Sequence, residues 1–262
     1  MDKKNFLLIP SQFIAFLVGF IDGDGYIQIT KTTRGYIAIK LVLALQLKDI
    51  STLEYIHSVL NIGKISISKD QRKPLCKLII NRTDLQEVLF PLLLHHNIFF
   101  LTKSRREQFN LAMHIFEKNI KYFDIISNLN KEEIFVHSEL PKKSLDYINL
   151  PFFKNWLVGF TTAEGSFFVK ANNDGCFQLK QIIHVELFEA FKLVFNTNRK
   201  IGIEKSLFFQ FSVSSTKDIQ TVINFFSFSG LHPLTGLKNI QYLNWLNTLS
   251  NSQRYKNLNF PK

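Results

Sequence analysis

Two stretches of this chain share one order of hydrophobic and polar positions. An apolar helical segment ends in an acid and a glycine at Asp24-Gly25, and the same ending returns at Glu164-Gly165. Two alternating apolar and polar segments follow each ending and enclose a polar turn that contains glycine, which predicts a β-hairpin. A segment with helical apolar spacing, a second hairpin and a further helix come next in both copies. The pattern therefore predicts an αββαββα unit, formed twice.

The duplicated pattern sets the expected domain organisation. Residues 1–116 are predicted to form an N-terminal repeat, and residues 151–262 a C-terminal repeat with a tail. The charged segment between them, residues 117–150, is patterned only in part and indicates a linker with a short helix. Strands joined by short turns pair antiparallel. The expected fold class is therefore α+β, with two pseudo-symmetric repeats.

Small residues recur along the first predicted motif helix. They are spaced four positions apart, at Ala15, Gly19 and Gly23, and the matching positions of the second copy are Asn155, Gly159 and Ala163. Side chains at this spacing lie on one helix face, and small ones let two helices approach closely. If the two helices pack on each other, Asp24 and Glu164 lie side by side at one end of the pair. Gly25 is expected to end its helix in the left-handed conformation that glycine adopts easily.

Two carboxylates that lie side by side repel each other unless a positive charge lies between them. Mg²⁺ can supply that charge, since it binds proteins through one or two carboxylates and keeps water and phosphate oxygens as its other ligands. Paired divalent ions stabilise the attacking and leaving oxygens in phosphodiester hydrolysis. The motifs therefore favour a divalent-metal site. A calcium loop starting at Asp22 is disfavoured, because an alternating strand follows where further ligands would be needed.

The two motif segments resemble the LAGLIDADG motif of homing endonucleases in its two-motif, single-chain form. The first segment is LVGFIDGDG at residues 17–25, and the second is LVGFTTAEG at residues 157–165. The resemblance extends over nearly the whole chain, because the elements after each motif follow the family order. It implies two αββαββα repeats with saddle-shaped β-sheets along the DNA major groove and with the motif helices at the repeat interface.

The resemblance also implies roles for the residues at the motif ends. The last acid of each family motif binds the catalytic metals, and this role falls on Asp24 and Glu164. The backbone carbonyls of Gly23 and Ala163 are expected to help hold the ions. Thr162 replaces the first acid of the second motif, which leaves the later metal ligand in place. A coarse alignment of the repeats adds three candidates for the groups that organise water around the phosphate: Gln46, Gln181 and Lys200.

The charge balance of the chain supports a nucleic-acid partner. The formal net charge is +11 and the sequence pI is about 9.6, a surplus that favours a polyanion. One face of each predicted sheet is apolar, and the polar face can follow the groove of double-stranded DNA. The candidate DNA-binding residues of the first copy are Tyr26, Gln28, Thr30, Lys31, Arg34, Tyr36, Lys40, Lys64, Ser66, Ser68, Arg72, Lys73, Lys77 and Arg82. Those of the second copy are Ser166, Phe168, Lys170, Asn172, Asn173, Gln178, Lys180, Lys205, Gln210, Ser212 and Ser214.

Composition bears on the cellular location. Phe (27 residues), Ile, Asn and Lys are abundant and have A/T-rich codons, which indicates an A/T-rich genome, such as that of an organelle. With the family type, this favours a mitochondrial protein. No apolar stretch approaches the roughly 18 residues of a membrane helix, and the N-terminus lacks a secretory pattern. Cys76 and Cys176 form neither a disulfide framework nor a zinc site. A monomer without a membrane partner is expected.

The sequence thus predicts a site-specific double-strand DNA endonuclease that uses Mg²⁺ at a long, non-palindromic site. The family implies cleavage to a 3′-hydroxyl and a 5′-phosphate, with short 3′ overhangs. One alternative is an RNA maturase that binds its own intron RNA through basic segments such as residues 141–145 or 251–262. A second is a DNA-binding regulator that does not cut. The acid and glycine could also serve only to end a helix and start a turn. The occurrence of the same ending in both copies disfavours this alternative.

Overall fold

The computed structural model divides the chain into two compact units, Met1–Leu140 and Pro141–Lys262. The residues it describes are 6–68, 70, 72–130, 132, 134–182 and 184–262. The boundary lies within the segment 117–150 that the sequence indicates as a linker, so this segment is divided between the units. Its described residues hold two short helices rather than one, and each unit contains one of them.

Unit 1 has the predicted αββαββα order, followed by two further helices. Its four strands form one antiparallel sheet in the order β1-β2-β4-β3. A π-helical turn joins α3 to α4, so that the third helix of the repeat continues through three pieces. The elements are α1 (Ser11–Asp24), β1 (Gly25–Lys31), β2 (Ile37–Gln46), α2 (Ile50–Leu60), β3 (Lys64–Ile67), β4 (Leu75–Asn81), α3 (Arg82–Asp84), the π turn (Leu85–Leu89), α4 (Phe90–His95), α5 (Lys103–Glu117) and α6 (Phe123–Ser127).

Unit 2 repeats this order after one short leading helix. Its sheet has the order β5-β6-β8-β7, so both sheets have one topology and the predicted duplication of the fold is confirmed. The elements are α7 (Ser144–Ile148), α8 (Phe153–Glu164), β5 (Gly165–Val169), β6 (Gly175–Ile182), α9 (Val185–Val194), β7 (Gly202–Glu204), β8 (Phe208–Val213), α10 (Thr216–Ile223), a π turn (Asn224–Phe228) and α11 (Gly236–Ser250).

Each sheet has one buried and one exposed face, because successive side chains of a strand point to opposite sides. In unit 1, Ile27 pairs with Leu41, which pairs in turn with Ile80, and all three are buried. On the other face Gln28 pairs with Lys40, and both are only half-buried. The apolar face therefore forms the core with the helices, and the polar face is left for a partner.

The core of unit 2 is aromatic where that of unit 1 is mainly aliphatic. The ring of Phe177 is fully buried, and its centroid lies 5.0 Å from that of Phe167 and 5.3 Å from that of Phe195. Stacked and edge-to-face ring pairs such as these stabilise the core beyond the burial of their surface. Part of the high Phe content of the chain therefore has a packing function in this unit.

A closing helix follows each αββαββα unit and covers the free edge of its first strand. In unit 1, the α5 residue Gln108 accepts a hydrogen bond from the backbone N–H of Ile27 at 3.0 Å. In unit 2, the indole Nε1 of Trp245 on α11 donates to the backbone oxygen of Phe168 at 3.1 Å. Each contact satisfies a backbone group that an uncovered edge strand would offer to another chain. The closing helices thus protect the sheets and lie close to the motif ends.

Within the described part of the chain, no helix is both long enough and apolar enough to cross a bilayer. Cys76 and Cys176 are buried free thiols, one in each unit. Burial raises the pKa of both thiols above the usual value, so neither has the character of a reactive thiolate.

Candidate functional site at the motif helix ends

The two predicted metal ligands occupy equivalent places in the two units. Helix α1 ends at Asp24 and helix α8 ends at Glu164, and both side chains are half-buried. Gly23 and Ala163 lie in the last turn of each helix, where backbone carbonyls lack a donor further along the helix. A helix C-terminus also carries partial negative charge. Each motif end therefore offers oxygen atoms and an electrostatic preference for a cation.

The glycine after each acid is required by space and not by its backbone angles. Gly25 has φ −98° and ψ 167°, so the predicted left-handed conformation is wrong. A Cβ atom at Gly25 would lie 2.7 Å from Cδ2 of Leu43 on the neighbouring strand. At Gly165 it would lie 2.6 Å from the backbone oxygen of Thr161. Only glycine lets the chain turn from helix to strand against these atoms, and this turn places the acid at the sheet.

Gln181 is the one candidate for organising water that a described contact joins to a motif acid. Its Nε2 donates to Oε1 of Glu164 at 3.1 Å, and its own Oε1 accepts from the backbone N–H of Ile182 at 2.9 Å. The amide is therefore held at both ends. It orients the Glu164 carboxylate without removing its charge.

Gln46 and Lys200 have different surroundings. Leu43 of β2 pairs with Gly25, and Leu179 of β6 pairs with Gly165, so Leu43 and Leu179 are equivalent positions. Gln181 lies two residues after Leu179, and its counterpart in the first copy is therefore residue 45. Gln46 is the next residue, so its exposed side chain points to the other face of the sheet. Lys200 is exposed before β7, at the sheet edge opposite β5. The roles suggested for both residues stay predictions that no described contact supports.

Two basic residues that the sequence analysis did not select lie at the motif ends. Nε of Arg105 on α5 donates to the backbone oxygen of Ile21 at 3.3 Å. Nζ of Lys238 on α11 donates to the backbone oxygen of Gly165. Each cation lies beside the last turn of a motif helix, where it can also meet a phosphate.

A signal for these cations was present in the sequence. Leu-Thr followed three positions later by a basic residue occurs at residues 101–105 and again at residues 234–238. The repeated pattern thus continues past the third helix of each copy and includes both cations.

Asp22, the first acid of the first motif, has a structural role. Its side chain is only 2% exposed and accepts hydrogen bonds from the backbone N–H groups of Leu101 and Thr102 at 2.8 and 3.2 Å. The hydroxyl of Thr102 donates to the same carboxylate. Charge-assisted bonds of this kind are the strong ones. Asp22 thereby fixes the start of α5, the helix that carries Arg105.

The second motif ties its closing helix in a different way. Thr162 donates its hydroxyl to Val158 within its own helix at 2.9 Å. Among the described residues, the buried hydroxyl oxygen of Thr235 has no hydrogen-bond partner. Asn155, one of the positions matched to the small-residue stripe, instead accepts from the backbone N–H of His232 at 2.8 Å. Burial lowers the pKa of His232, because the charged imidazolium is poorly solvated there.

This difference predicts opposite effects for one substitution. Thr102→Val should lower the free energy of unfolding by about 1–2 kcal/mol, because the change removes a donor to a buried carboxylate. Thr235→Val should leave it unchanged or raise it by up to about 1 kcal/mol, since an unpaired hydroxyl is removed from a buried place. Urea denaturation of both variants measures the two values. Equal losses of unfolding free energy in the two variants would contradict the conclusion that, within the described part of the chain, Thr102 is hydrogen-bonded and Thr235 is not.

The register of the first sheet separates the candidate DNA-binding residues into groups. On the face opposite the core, cross-strand pairing aligns Tyr26, Gln28, Thr30, Lys40, Lys64, Ser66 and Lys77. Arg34, Ser68, Arg72 and Lys73 are exposed in the connections between strands. Lys31 has the register of the core face and pairs with Asp124 at 2.6 Å. Arg82 lies on α3 over the ring of Phe116, at 5.3 Å from its centroid.

The second sheet shows the same arrangement. Its outward face carries Ser166, Phe168, Gln178, Lys180, Gln210 and Ser212. Lys180 on this face forms an ion pair with Glu204 at 2.6 Å, which leaves less of its charge for a phosphate. Lys170 lies 3.5 Å from the hydroxyl of Ser214, beyond the strand ends. Asn172, Asn173 and Lys205 are exposed in turns.

The donor chemistry at the motif ends fits a hard divalent cation. No group of three or more His, Cys, Asp or Glu side chains within the described ranges is arranged to hold a metal ion. A complete protein cage is unnecessary for Mg²⁺, which takes one or two carboxylates and fills its shell with water and phosphate oxygens. Asp24 and Glu164 supply such carboxylates.

A family profile described as LAGLIDADG endonuclease matches residues 17–112 and 157–249 of the chain. The match covers more than half of the chain and includes both motifs. The chain therefore belongs to the LAGLIDADG endonuclease family, which confirms the resemblance seen in the sequence.

Particular relatives carry matching names. A probable intron-encoded endonuclease aI3 of Dictyostelium citrinum is 23% identical, over 86% of this chain and 90% of its own length. A probable intron-encoded endonuclease aI3 of Kluyveromyces lactis is 27% identical over 90% of this chain. The chain spans 65% of that relative, and 41% of a probable intron-encoded endonuclease 4 of Neurospora crassa.

Solved structures of meganucleases share the fold. I-CpaMI bound to uncleaved DNA superimposes with a TM-score of 0.68 at 20% identity, over 89% of this chain and 90% of that one. I-SmaMI, bound to an uncleaved DNA target in the presence of calcium ions, gives 0.68 at 19% identity, over 90% of each chain. Both of these meganucleases are thus seen with DNA, and I-SmaMI also in the presence of calcium ions.

Proposed function

We propose that this protein is a site-specific endonuclease that cuts both strands of double-stranded DNA, using Mg²⁺. The observation that carries the proposal is the duplicated motif end. In each unit a half-buried carboxylate, Asp24 or Glu164, lies at a helix C-terminus beside a basic residue and at the start of a sheet with a polar face. This arrangement suits chemistry on a phosphate group that is held along the sheet.

The chemistry assigned to these residues is hydrolysis of a phosphodiester. A bound divalent ion supplies Lewis-acid stabilisation and makes water a better nucleophile near neutral pH. Asp24 and Glu164 hold the cations through carboxylate oxygens, and Gln181 keeps Glu164 in place. Arg105 and Lys238 lie where they can offset negative charge on the phosphate. The oxygen of water bonds to phosphorus, the bond to the 3′ oxygen breaks, and that oxygen leaves with a proton.

The two sheets provide the surface that reads the target. Lys and Arg side chains bind phosphates and give an affinity that falls with salt, while Gln, Asn, Ser and Thr side chains reach base edges. The outward faces of the two sheets carry different side chains at equivalent positions, such as Gln28 and Phe168. A palindromic target suits two identical surfaces, so we expect a non-palindromic one.

Selection of cleaved sites from a random DNA library in Mg²⁺ tests the proposed function. We expect one long asymmetric sequence to be enriched and cut on both strands. The matched control is the double variant Asp24→Asn/Glu164→Gln, which should enrich nothing. Binding without cleavage by the unaltered protein would favour a non-cutting regulator instead.

We further propose that the protein acts as a monomer encoded in an organellar intron. The two repeats lie in one chain, so a second copy is not needed to supply the second motif. The abundance of Phe supports an A/T-rich genome, and one relative is a cox1 intron-2 protein of Schizosaccharomyces pombe. In the basic segments considered for intron RNA, the side chain of Arg254 pairs with Asp174, and the backbone N–H of Lys143 donates to Asp146 at 3.2 Å. Binding of RNA therefore stays a prediction.

A further inference from the structure

The tip of the β1–β2 hairpin forms backbone hydrogen bonds with a segment that follows the closing helix α5. The backbone N–H of Ile37 donates to the oxygen of Lys121 at 2.9 Å, and that of Phe123 donates to the oxygen of Gly35 at 3.0 Å. These bonds join the end of the hairpin to the segment as in an antiparallel pair. We name residues 121–124 brace 1.

Side chains strengthen brace 1. The rings of Tyr36 and Tyr122 stack with centroids 5.1 Å apart, and a hydrogen bond with Tyr122 raises the pKa of the Tyr36 phenol. Nζ of Lys31 lies 2.6 Å from Oδ1 of Asp124. Lys31 at the end of β1 and Tyr36 just before β2 are thus both bound to brace 1.

The tip of the β5–β6 hairpin is held by a segment in the same place of the repeat, just after the closing helix α11. We name residues 254–255 brace 2. Arg254 forms an ion pair with Asp174 in the turn between the strands. Tyr255 is fully buried, and its hydroxyl donates to the backbone oxygen of Ser214 at 2.7 Å. Tyr255 therefore anchors brace 2 at the end of β8, and the ion pair of Arg254 joins brace 2 to the tip.

Both tips extend past the strands that would support them. In unit 1, β4 pairs with β2 from Lys40 onward, and the hairpin continues beyond that point to Ile37. In unit 2, β8 pairs with β6 from Phe177, while the hairpin continues to Gly175. A two-stranded hairpin alone is only marginally stable in water. The position of each tip thus depends on its brace.

We propose that braces 1 and 2 position the hairpin tips against the outer base pairs of the DNA target, and so set sequence discrimination there. This inference rests on the proposed function. The first tip carries Arg34, and the second carries Asn172 and Asn173. Seven residues of β1 at about 3.3 Å each place the first tip roughly 20 Å from Asp24. The tips therefore reach base pairs far from the scissile phosphates.

The physical reason is preorganisation. A tip that must be ordered on binding costs conformational entropy for each immobilised side chain, and a braced tip has already met that cost during folding. Loosening a brace should therefore weaken binding and outer-base discrimination, while the chemistry at the motif ends continues. Arg254 and Asp174 act through the tip and are positioning residues.

Brace 2 permits a charge-swap test. Arg254→Asp or Asp174→Arg alone places like charges together, and the double variant restores an ion pair with reversed polarity. For each single variant we expect KM to rise about fivefold and kcat to stay within about twofold. Discrimination should relax at the outer base pairs of one half-site only, and the double variant should recover it. A direct contact of either side chain with DNA would not be restored by the swap.

Brace 1 provides an independent comparison. Tyr122→Ala removes the ring stack and should relax discrimination at the other end of the target. Glu189→Gln is the matched control, because it breaks a surface ion pair with Lys192 on α9 and changes neither brace. The control should leave KM and discrimination unchanged.

Amide hydrogen exchange measures how firmly brace 2 holds its hairpin tip in the absence of DNA. Amides of residues 170–175 should exchange faster in each single brace 2 variant and return to the original rate in the double variant. Unchanged exchange would overturn the inference. So would faster exchange with unaltered discrimination on a target that the protein cleaves. If the unaltered protein cleaves no DNA while exchange responds as described, the proposed function fails, and the role in reading DNA fails with it.

Discussion

Asp24→Asn and Glu164→Gln are each expected to reduce Mg²⁺-dependent cleavage of both DNA strands by at least about a hundredfold. The amide side chains keep the shape of the acids but lack the negative charge that binds a divalent cation. Both strands should be affected by either change, because we propose that Asp24 and Glu164 both bind cations that double-strand cleavage needs. DNA affinity should largely persist, since the sheets carry the phosphate contacts. Cleavage of a duplex labelled on both strands, with binding at one salt concentration, measures these effects.

Two substitutions on exposed helices serve as controls for charge. Glu54→Gln on α2 and Glu189→Gln on α9 each remove one negative charge from an exposed or half-exposed position of the same unit as the acid under test. They should leave cleavage close to that of the unaltered protein. Undiminished cutting by both Asp24→Asn and Glu164→Gln would rule out the assignment of the motif acids.

Asp22→Ala is expected to lower the free energy of unfolding by roughly 3 kcal/mol or more. The change leaves two buried backbone N–H groups and one hydroxyl without their acceptor, at the start of the helix that carries Arg105. Denaturation in urea, followed by circular dichroism, measures the loss. Protein that remains folded should also lose cleavage activity, because α5 is no longer fixed.

Thr162→Ala, at the matching position of the second motif, is the control for Asp22→Ala. The hydroxyl of Thr162 bonds only within its own helix among the contacts described, so a loss of about 1 kcal/mol is expected. Similar losses in the two variants would mean that Asp22 is not the residue that fixes its closing helix.

The features that the sequence predicted correctly depend on local patterns. Apolar residues with a period of about 3.6 predict helices and those with a period of 2 predict strands, and both signals were strong in each copy. The acids at positions 24 and 164 lie at the helix ends, as their place before glycine indicated. The duplication supported the predicted order of helices and strands, because the same order fitted both halves of the chain.

The errors and omissions concern contacts between distant parts of the chain. The conformation of Gly25 was mistaken because its neighbour Leu43 comes from the next strand, and local sequence favoured a helix cap over a crowded turn. Gln46 and Gln181 were matched by a coarse alignment, but a shift of one residue in a strand moves a side chain to the other face. Arg105 and Lys238 were missed because they follow the third helix of each repeat, where the elements matched between the two copies end.

The sequence by itself determined the two repeats, the order of their elements and the positions of the motif acids, because apolar spacing and turn residues act over short stretches. Only the tertiary structure decided what each motif residue contacts. Asp22 accepts a hydrogen bond at the start of α5, 79 positions later in the chain. Arg254 pairs with Asp174, which lies in a turn 80 positions earlier. Such pairs form because packing brings distant groups together, and no local preference of either residue specifies its partner.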